Sequence, residues 1–475
     1  MLVGEPDAVD SESLLWNRGL AWRNARRAFE GAIMHPSRLA TMLPSVREGV
    51  RGLLARLAPH AGGPGRQGQA VDLKAAFAVF SLATTGGAAY GVDFWPDDGP
   101  GSKAGSKAEG GRAGEGSRLL SACTQALDCF ELSQATAYLP LQLMLPALRP
   151  LWLWLAERLP DAPQRRNMAA RQAVADASRR LMQGWQAAAE SAAANGHATA
   201  TNGHATAANG RATAANGGKA EAGGFVEVGS GIAGSSFLAR LLQDRSSGAA
   251  GGGKEAKEGE AGAAAMSDIQ VISQVLTFLM ASFDTISTTL ANTAFLLATH
   301  PAAQDKVRAE LAAVAEEELG SDEAAEKMPY LDACFKESMR LYPAAPMFWR
   351  DCNADVKLKN GMAIPAGTFV CCSNYNVHRD PDVFPQPESF VPERFLPDAA
   401  GALGATHPHA FLAFGSGARA CVGQRLAWVV LRAALGSVLR SYRLELSTQQ
   451  RLPFRHRTAL TLVPADGVWV CLQPV

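Results

Sequence analysis

The residues best suited to chemistry lie near the C-terminus, in the run Phe414-Gly415-Ser416-Gly417-Ala418-Arg419-Ala420-Cys421-Val422-Gly423. Its register, F-x-x-G-x-R-x-C-x-G, sits directly before a stretch, Gln424 to Leu439, that reads as a helix. A cysteine ahead of a helix N-terminus receives backbone N–H groups and the positive end of the helix dipole, which favour thiolate over thiol. The glycines let the backbone pass close under a flat cofactor, and Arg419 is placed to neutralise a carboxylate on it. A lone cysteine reads as an inert core thiol. Within this register the metal-ligand reading prevails.

A second constellation is Ala281-Ser282-Phe283-Asp284-Thr285, midway along a helical stretch over 267–299. An acid beside a hydroxyl in the middle of an apolar helix is unexpected as packing. The competing reading is a threonine that only bends or caps the helix. Glu337-Ser338-Met339-Arg340 places an acid and a base one turn apart on one helix face, but Glu48-Gly49-Val50-Arg51 has the same spacing. Position separates them: Glu337 and Arg340 lie upstream of Cys421 and lead into Leu341-Tyr342-Pro343. Pro392-Glu393-Arg394-Phe395 follows, and Trp22 and Arg26 share a helix face through W-x-x-x-R spacing.

Together these motifs resemble the cytochrome P-450 (haem-thiolate monooxygenase) family. The resemblance implies that Cys421 is the proximal ligand of haem iron, pushing electron density into the metal. It implies that Glu337, Arg340 and Arg394 form a buried ionic triad that serves folding rather than chemistry. Trp22, Arg26, Arg350, Phe414, Arg419 and Gly423 would seat the haem, a solvated charge being the alternative for Arg26 and Arg350. Asp284 and Thr285 would deliver protons as dioxygen is cleaved. Ser282 stands where the family pattern has glycine, and would narrow the oxygen groove or add a donor. Ala281, Phe283, Met347 and Phe348 are candidate substrate-pocket residues, with plain core packing as the alternative.

The resemblance further implies insertion of one atom of dioxygen into a small hydrophobic substrate, a lipid, terpenoid or similar. Electrons would come from an NADPH-dependent diflavin reductase, with NADPH acting only indirectly. Two rivals stand beside it: a reductase-independent haem-thiolate isomerase or dehydratase, and a catalytically inactive haem-binding fragment. Retention of Asp284-Thr285 counts against the isomerase, which needs no proton delivery to dioxygen. The runs Ala89-Tyr90-Gly91-Val92-Asp93-Phe94, His378-Arg379-Asp380-Pro381 and Arg419-Ala420-Cys421-Val422-Gly423-Gln424-Arg425 are most similar to the eukaryotic microsomal branch, near the thromboxane-synthase and carlactone-oxidase neighbourhood. Family members carry a longer stretch before the W-x-x-x-R helix than precedes Trp22 here, so the expectation is an N-terminally truncated chain. The endoplasmic reticulum membrane, cytosolic face, is the expected compartment if an N-terminal anchor exists.

The elements that must position these residues are mostly helical. Apolar spacing predicts helices over 13–30, 37–57, 72–90, 118–135, 165–190, 267–299, 302–318, 329–341 and 424–439, with short strands such as Val356–Leu358 and Thr368–Cys372 toward the C-terminus. The fold class is therefore mainly α with small β-sheets, a cytochrome P-450 fold lacking its N-terminal portion. Two low-complexity inserts, 99–117 and 191–264, divide it into 1–98, 118–190 and 265–475. The second insert repeats Asn-Gly at Asn195, Asn202, Asn209 and Asn216, and both are expected to be disordered surface loops. Gly229-Ser230-Gly231-Ile232-Ala233-Gly234 matches a dinucleotide fingerprint formally, but no βαβ unit surrounds it.

Composition removes other classes. Lys+Arg and Asp+Glu both number 45, a balance that argues against nucleic-acid binding. Eight cysteines without a C-x-x-C pair read mostly as reduced core thiols. The nearest approach to a membrane span, Tyr138 to Leu155, is broken by Pro140, Pro146, Arg149 and Pro150. It reads as a buried proline-kinked helix, with membrane-surface contact through Trp152 and Trp154 as the alternative.

Overall fold

A computed structural model describes residues 12–15, 17–63, 68–91, 95, 141, 145, 148–194, 227–228, 232–233, 236–246, 266–397, 409–458 and 461–475. The expected 118–135 helix, the 99–117 insert and the Asn-Gly repeat lie outside these residues.

The first long helix, α1 (Gly19–Phe29), begins later than apolar spacing predicts and continues into a π turn, Glu30–Met34. The reason is tertiary. Ser13 Oγ hydrogen-bonds Thr277 Oγ1 at 2.8 Å and the Leu14 N–H donates to Gln274 Oε1 at 3.1 Å, so this segment is pinned as a turn. The 37–57 stretch breaks at Thr41 and Met42 into a short helix, Pro36–Ala40, and α2 (Leu43–Leu57). Pro44 occupies the first turn of α2, where a missing N–H costs nothing.

Strand β1 (Val71–Asp72) leads into α3 (Leu73–Tyr90). Asp72 caps α3 by accepting from the Lys74 N–H at 2.9 Å, and Gly91 ends it at φ 73°, in the left-handed region. Next come α4 (Arg149–Arg158) and α5 (Ala162–Ala194), which runs past residue 190 into the stretch expected to be an insert. The buried reading of the 138–155 segment is corrected at α4: Leu151 and Trp154 are exposed, Trp154 by 48%.

The second insert is corrected as well. Within 191–264, β2 (Glu227–Val228) pairs antiparallel with β3 (Ile232–Ala233), a hairpin rather than a dinucleotide-binding β-turn-α unit. Helix α6 (Phe237–Ser246) follows and belongs to the core. Phe237, Leu238, Leu241 and Leu242 are buried, and the Phe237 ring lies 4.8 Å from Phe29 and 5.1 Å from Phe278.

The organising element is α7 (Asp268–Thr299), started by a capping box between Ser267 and Gln270. It packs along α3, buries most of its length, and is the one helix among the described residues long and apolar enough to cross a membrane. Several of its hydroxyls are absorbed by its own backbone: Thr277, Thr289 and Thr293 donate to the carbonyls four residues back at 2.7–2.8 Å. Then come α8 (Pro301–Leu311) and α9 (Pro329–Leu341). The Glu310 carboxylate of α8 caps α9 by accepting from the N–H groups of Tyr330 (2.7 Å) and Leu331 (3.0 Å).

Strands β4 (Phe348–Asp351), β5 (Val356–Lys357), β6 (Ala363–Ile364) and β7 (Phe369–Cys372) form two antiparallel pairs, β4 with β7 and β5 with β6. Helix α10 (Gln424–Ser441) precedes β8 (Tyr442–Leu446), β9 (His456–Thr458), β10 (Leu462–Pro464) and β11 (Trp469–Pro474). The sheet β1-β11-β8 ties the start of α3 to the end of the chain. All six described cysteines are free, but only Cys334 and Cys471 are buried, so the core-thiol reading applies to those two.

Candidate functional site

The loop before α10 is shaped by backbone conformation. Gly415 and Gly417 sit at φ 70° and 72°, a region side chains rarely adopt. The Cys421 N–H donates to the Phe414 carbonyl at 2.8 Å, closing the loop, and Gly423 is the N-cap of α10. The Gly423 N–H and the Arg26 guanidinium both favour the Cys421 thiolate, yet burial outweighs them and pushes the thiol up. The Gly423 N–H and Arg26 act in the direction the sequence predicts for this loop, and burial acts against them. Cys421 nonetheless keeps exposed surface.

Around this loop the structure gathers arginines. Arg26 Nη1 donates to the Ala420 carbonyl at 2.7 Å, and its Nε to Glu30 Oε1 at 2.7 Å. Arg419 donates to the carbonyls of Asn17 (2.6 Å) and Leu14 (3.3 Å), with its guanidinium 4.3 Å over the Trp22 ring. Arg350 donates to the Trp349 carbonyl at 2.7 Å and lies over Phe348. Burial first, then Arg350, Arg18 and Arg26, holds the Arg419 pKa below its ordinary value, so the four guanidiniums share one field. Arg18 pairs with Asp351 and Arg26 with Glu30, while Arg350 and Arg419 hold backbone carbonyls. The cluster therefore has cations to spare for an anionic ligand. Arg18 had no sequence signal; it enters because the turn before α1 brings it to β4.

The buried triad is assembled across two elements. Glu337 Oε2 accepts from Arg340 Nε at 2.8 Å and Oε1 from Arg394 Nε at 3.1 Å, with all three side chains 0% exposed. Glu337 Oε1 also accepts the Val391 N–H at 2.9 Å. Arg340 donates further to the carbonyls of His378, Pro387 and Ser389. Every charge is hydrogen-bonded, the condition for burying an ion cluster.

On α7 the apolar burial is interrupted at Ala281, which is exposed, and at Asp284 and Thr285, which are half-buried. Thr285 Oγ1 donates to the Ala281 carbonyl at 2.8 Å. Ser282 Oγ donates to the Phe278 carbonyl at 2.7 Å, so the hydroxyl replacing the family glycine is spent inside its own helix. Asp284 accepts from Lys74 Nζ of α3 at 3.0 Å and from Thr461 Oγ1. Lys74 also donates to Ser287 Oγ at 2.7 Å. Neither Lys74 nor Thr461 had a sequence signal, because each reaches Asp284 only through tertiary packing. Among the proposed pocket residues, Phe283 belongs to the buried core, Phe348 is half-buried and Met347 is 43% exposed.

No group of three or more His, Cys, Asp or Glu side chains among the described residues could chelate a bare ion. A single thiol with open surface, a glycine-shaped loop beneath it and surplus guanidiniums fit haem with its two carboxylates.

Comparison with known proteins agrees. The cytochrome P-450 family model matches residues 232–472. The chain is 35% identical over 211 residues to cytochrome P-450 3A31 of Mesocricetus auratus, covering 44% of this chain and 41% of that protein. It is 35% identical over 212 residues to cytochrome P-450 4c3 of Drosophila melanogaster, covering 44% and 39%, and 34% identical over 211 residues to cytochrome P-450 3A2 of Rattus norvegicus, covering 44% and 41%. The matched region spans about two-fifths of the length of these relatives. The family match begins just ahead of α6, takes in α7, the triad and the thiolate loop, and ends in β11; the chain belongs to the cytochrome P-450 family.

Proposed function

We propose that the protein is a haem-thiolate monooxygenase acting on a small hydrophobic substrate, with electrons supplied by an NADPH-dependent diflavin reductase. The observation that carries this reading is Cys421, presented from its glycine-turned loop beside an arginine cluster with charge to spare. When bound, haem supplies the activation of dioxygen: two electrons and two protons convert RH and O2 to ROH and water.

The chain's own residues set the conditions. Cys421 presents the sulfur and the Gly423 N–H stabilises its charge. Arg26, Arg350 and Arg419 orient the carboxylates, and Trp22 supports Arg419 through its ring face. Thr285 Oγ uses its proton on the Ala281 carbonyl, which leaves its lone pairs to accept a hydrogen bond in the opening. Proton movement through Asp284 has to make or break a contact to Lys74 or Thr461. Ala281, Met347 and Phe348 supply apolar surface for substrate. The haem domain in this reading joins 1–98, 118–190 and 265–475, with α6 added from the second insert.

Arg23 and Arg27 on α1 and Arg425 at the start of α10 are exposed cations beside the thiolate loop, suited to an acidic reductase. The compartment is the cytosolic face of the endoplasmic reticulum membrane, conditional on an N-terminal anchor. The test is spectral and catalytic. The reduced, CO-bound protein shows the red-shifted Soret band of thiolate ligation, and Cys421→Ala loses it. With reductase, product forms only when NADPH is supplied; turnover that ignores NADPH would establish the isomerase instead.

A further inference from the structure

Beside the thiolate loop lies a buried histidine that the proposed chemistry does not use. We propose that His378 is a positioning residue for the cysteine ligand: its Nε2 accepts the Leu412 N–H and, with Asn374, clamps the base of the loop.

His378 is fully buried, and the Leu412 N–H donates to its Nε2 at 2.8 Å. Asn374 Nδ2 takes the other side of the same residue, donating to the Leu412 carbonyl at 3.1 Å and to the Ala345 carbonyl at 3.1 Å. That Leu412 carbonyl also accepts the Gly415 N–H at 2.9 Å, and two residues on, the Phe414 carbonyl accepts the Cys421 N–H at 2.8 Å. Three consecutive contacts therefore run from the His378 ring to the backbone of the ligand. On its other side, the His378 carbonyl accepts from Arg340 Nη1 at 2.8 Å. His378 thus joins the buried triad to the loop that holds the sulfur.

The ring type is needed for this. The plane of His378 stacks on Phe411, with centroids 5.5 Å apart at 16°, and meets the edge of Phe384 at 6.3 Å and 85°. A flat aromatic ring fills that slot, and only one with an acceptor nitrogen can hold the Leu412 amide. Accepting from an N–H requires Nε2 to be unprotonated. Burial, then the Arg340 charge, brings the His378 pKa down to about 4, against the opposing pull of the Arg340 and Met339 carbonyls, so the acceptor form is present at neutral pH.

The clamp rests on the reading of Cys421 as the haem ligand, and the test separates the two. In the full chain without haem, His378→Phe keeps the ring and its stacking but should lose at least tenfold in hydrogen-exchange protection at the Leu412 amide. His378→Gln, which restores an acceptor, should recover part of it. In the haem-loaded protein, His378→Phe should move the reduced CO band from the thiolate position toward the thiol position, and His378→Gln should move it less. Phe384→Leu unloads the ring edge without touching the Leu412 bond, so it lowers stability but should leave the band in place. Unchanged Leu412 protection in His378→Phe, or an equal band shift in Phe384→Leu, overturns the clamp. If His378→Phe does not fold, Asn374→Ala loosens Leu412 through its carbonyl and should shift the band likewise; an unmoved band overturns the clamp. A wild-type protein without any thiolate band sinks the ligand reading alone, since the exchange measurement does not depend on haem.

Discussion

The two sides of the candidate site are built differently. The thiolate side rests on fully buried, multiply bonded groups: Glu337, Arg340, Arg394 and His378 are closed off from solvent, and each holds backbone as well as side chain. The α7 side is open. Ala281 is exposed, Thr285 donates only to its own helix, and Asp284 depends on one lysine and one threonine. A firmly bonded loop support on one side and a lightly held acid and hydroxyl on the other imply a division of labour. Changes on the first side should act through folding and ligation, and changes on the second through the fate of protons and substrate.

The largest effect should come from Glu337→Ala. It leaves Arg340 and Arg394 buried without their carboxylate, and breaking such a cluster costs about 3–5 kcal/mol. Urea unfolding measures it; a loss below about 1 kcal/mol would mean that the network is not what holds the thiolate side.

Acid should come next. His378 and His456 both have pKa values lowered to about 4 by burial, aided by the charges of Arg340 and Arg379 on the first and Arg379 on the second. The unfolded chain binds these protons near the ordinary histidine value of about 6.5, so between there and pH 4 it holds more protons than the folded chain. Stability is full above pH 6.5 and falls as pH drops to 4, by about 3 kcal/mol for each ring. Thermal unfolding across that range checks the slope, and replacing His456 by Phe should remove its share. A flat profile would place both rings in water-accessible settings.

Lys74→Met tests the other side. The Lys74–Asp284 pair is mostly buried, at 13% and 17% side-chain exposure, so its loss should cost about 1–2 kcal/mol, between exposed and fully buried pairs. The thiolate band should not move. A shifted band would erase the distinction between the two sides.

The smallest structural effect belongs to Thr285→Ala, within about 0.5 kcal/mol of the wild type because it removes one hydroxyl that bonds its own helix. Its chemical effect should be plain: product formed per NADPH falls about tenfold, with peroxide released, a difference of about 1.4 kcal/mol between competing paths. Equal coupling in the two proteins would make Thr285 a helix residue only.

Much of this was legible because short-range chemistry writes itself into short patterns. The cysteine loop, the Glu337–Arg340 turn, the Ser267 start of α7 and the Gln424 start of α10 each depend on residues a few positions apart. Helix α6 was assigned to the second insert rather than the core because its apolar run, Phe237 to Leu242, is flanked by glycine- and alanine-rich filler that lowers the average around it. Phe283 was read toward the pocket because periodicity gives a face and not what covers it; tertiary packing puts it in the core.

By itself the sequence determined which residues cap a helix or turn a loop, and it pointed to the cysteine proposed to bind a metal, since residue type and near-neighbour spacing decide those properties. Only the tertiary structure decided that Lys74 and Thr461 hold Asp284, that Arg18 joins the arginine cluster, and that His378 and Asn374 grip Leu412. These contacts join segments separated by tens to hundreds of residues. No local preference encodes them, because they exist only once burial of the apolar faces has brought the segments together and left each polar group to find its partner there.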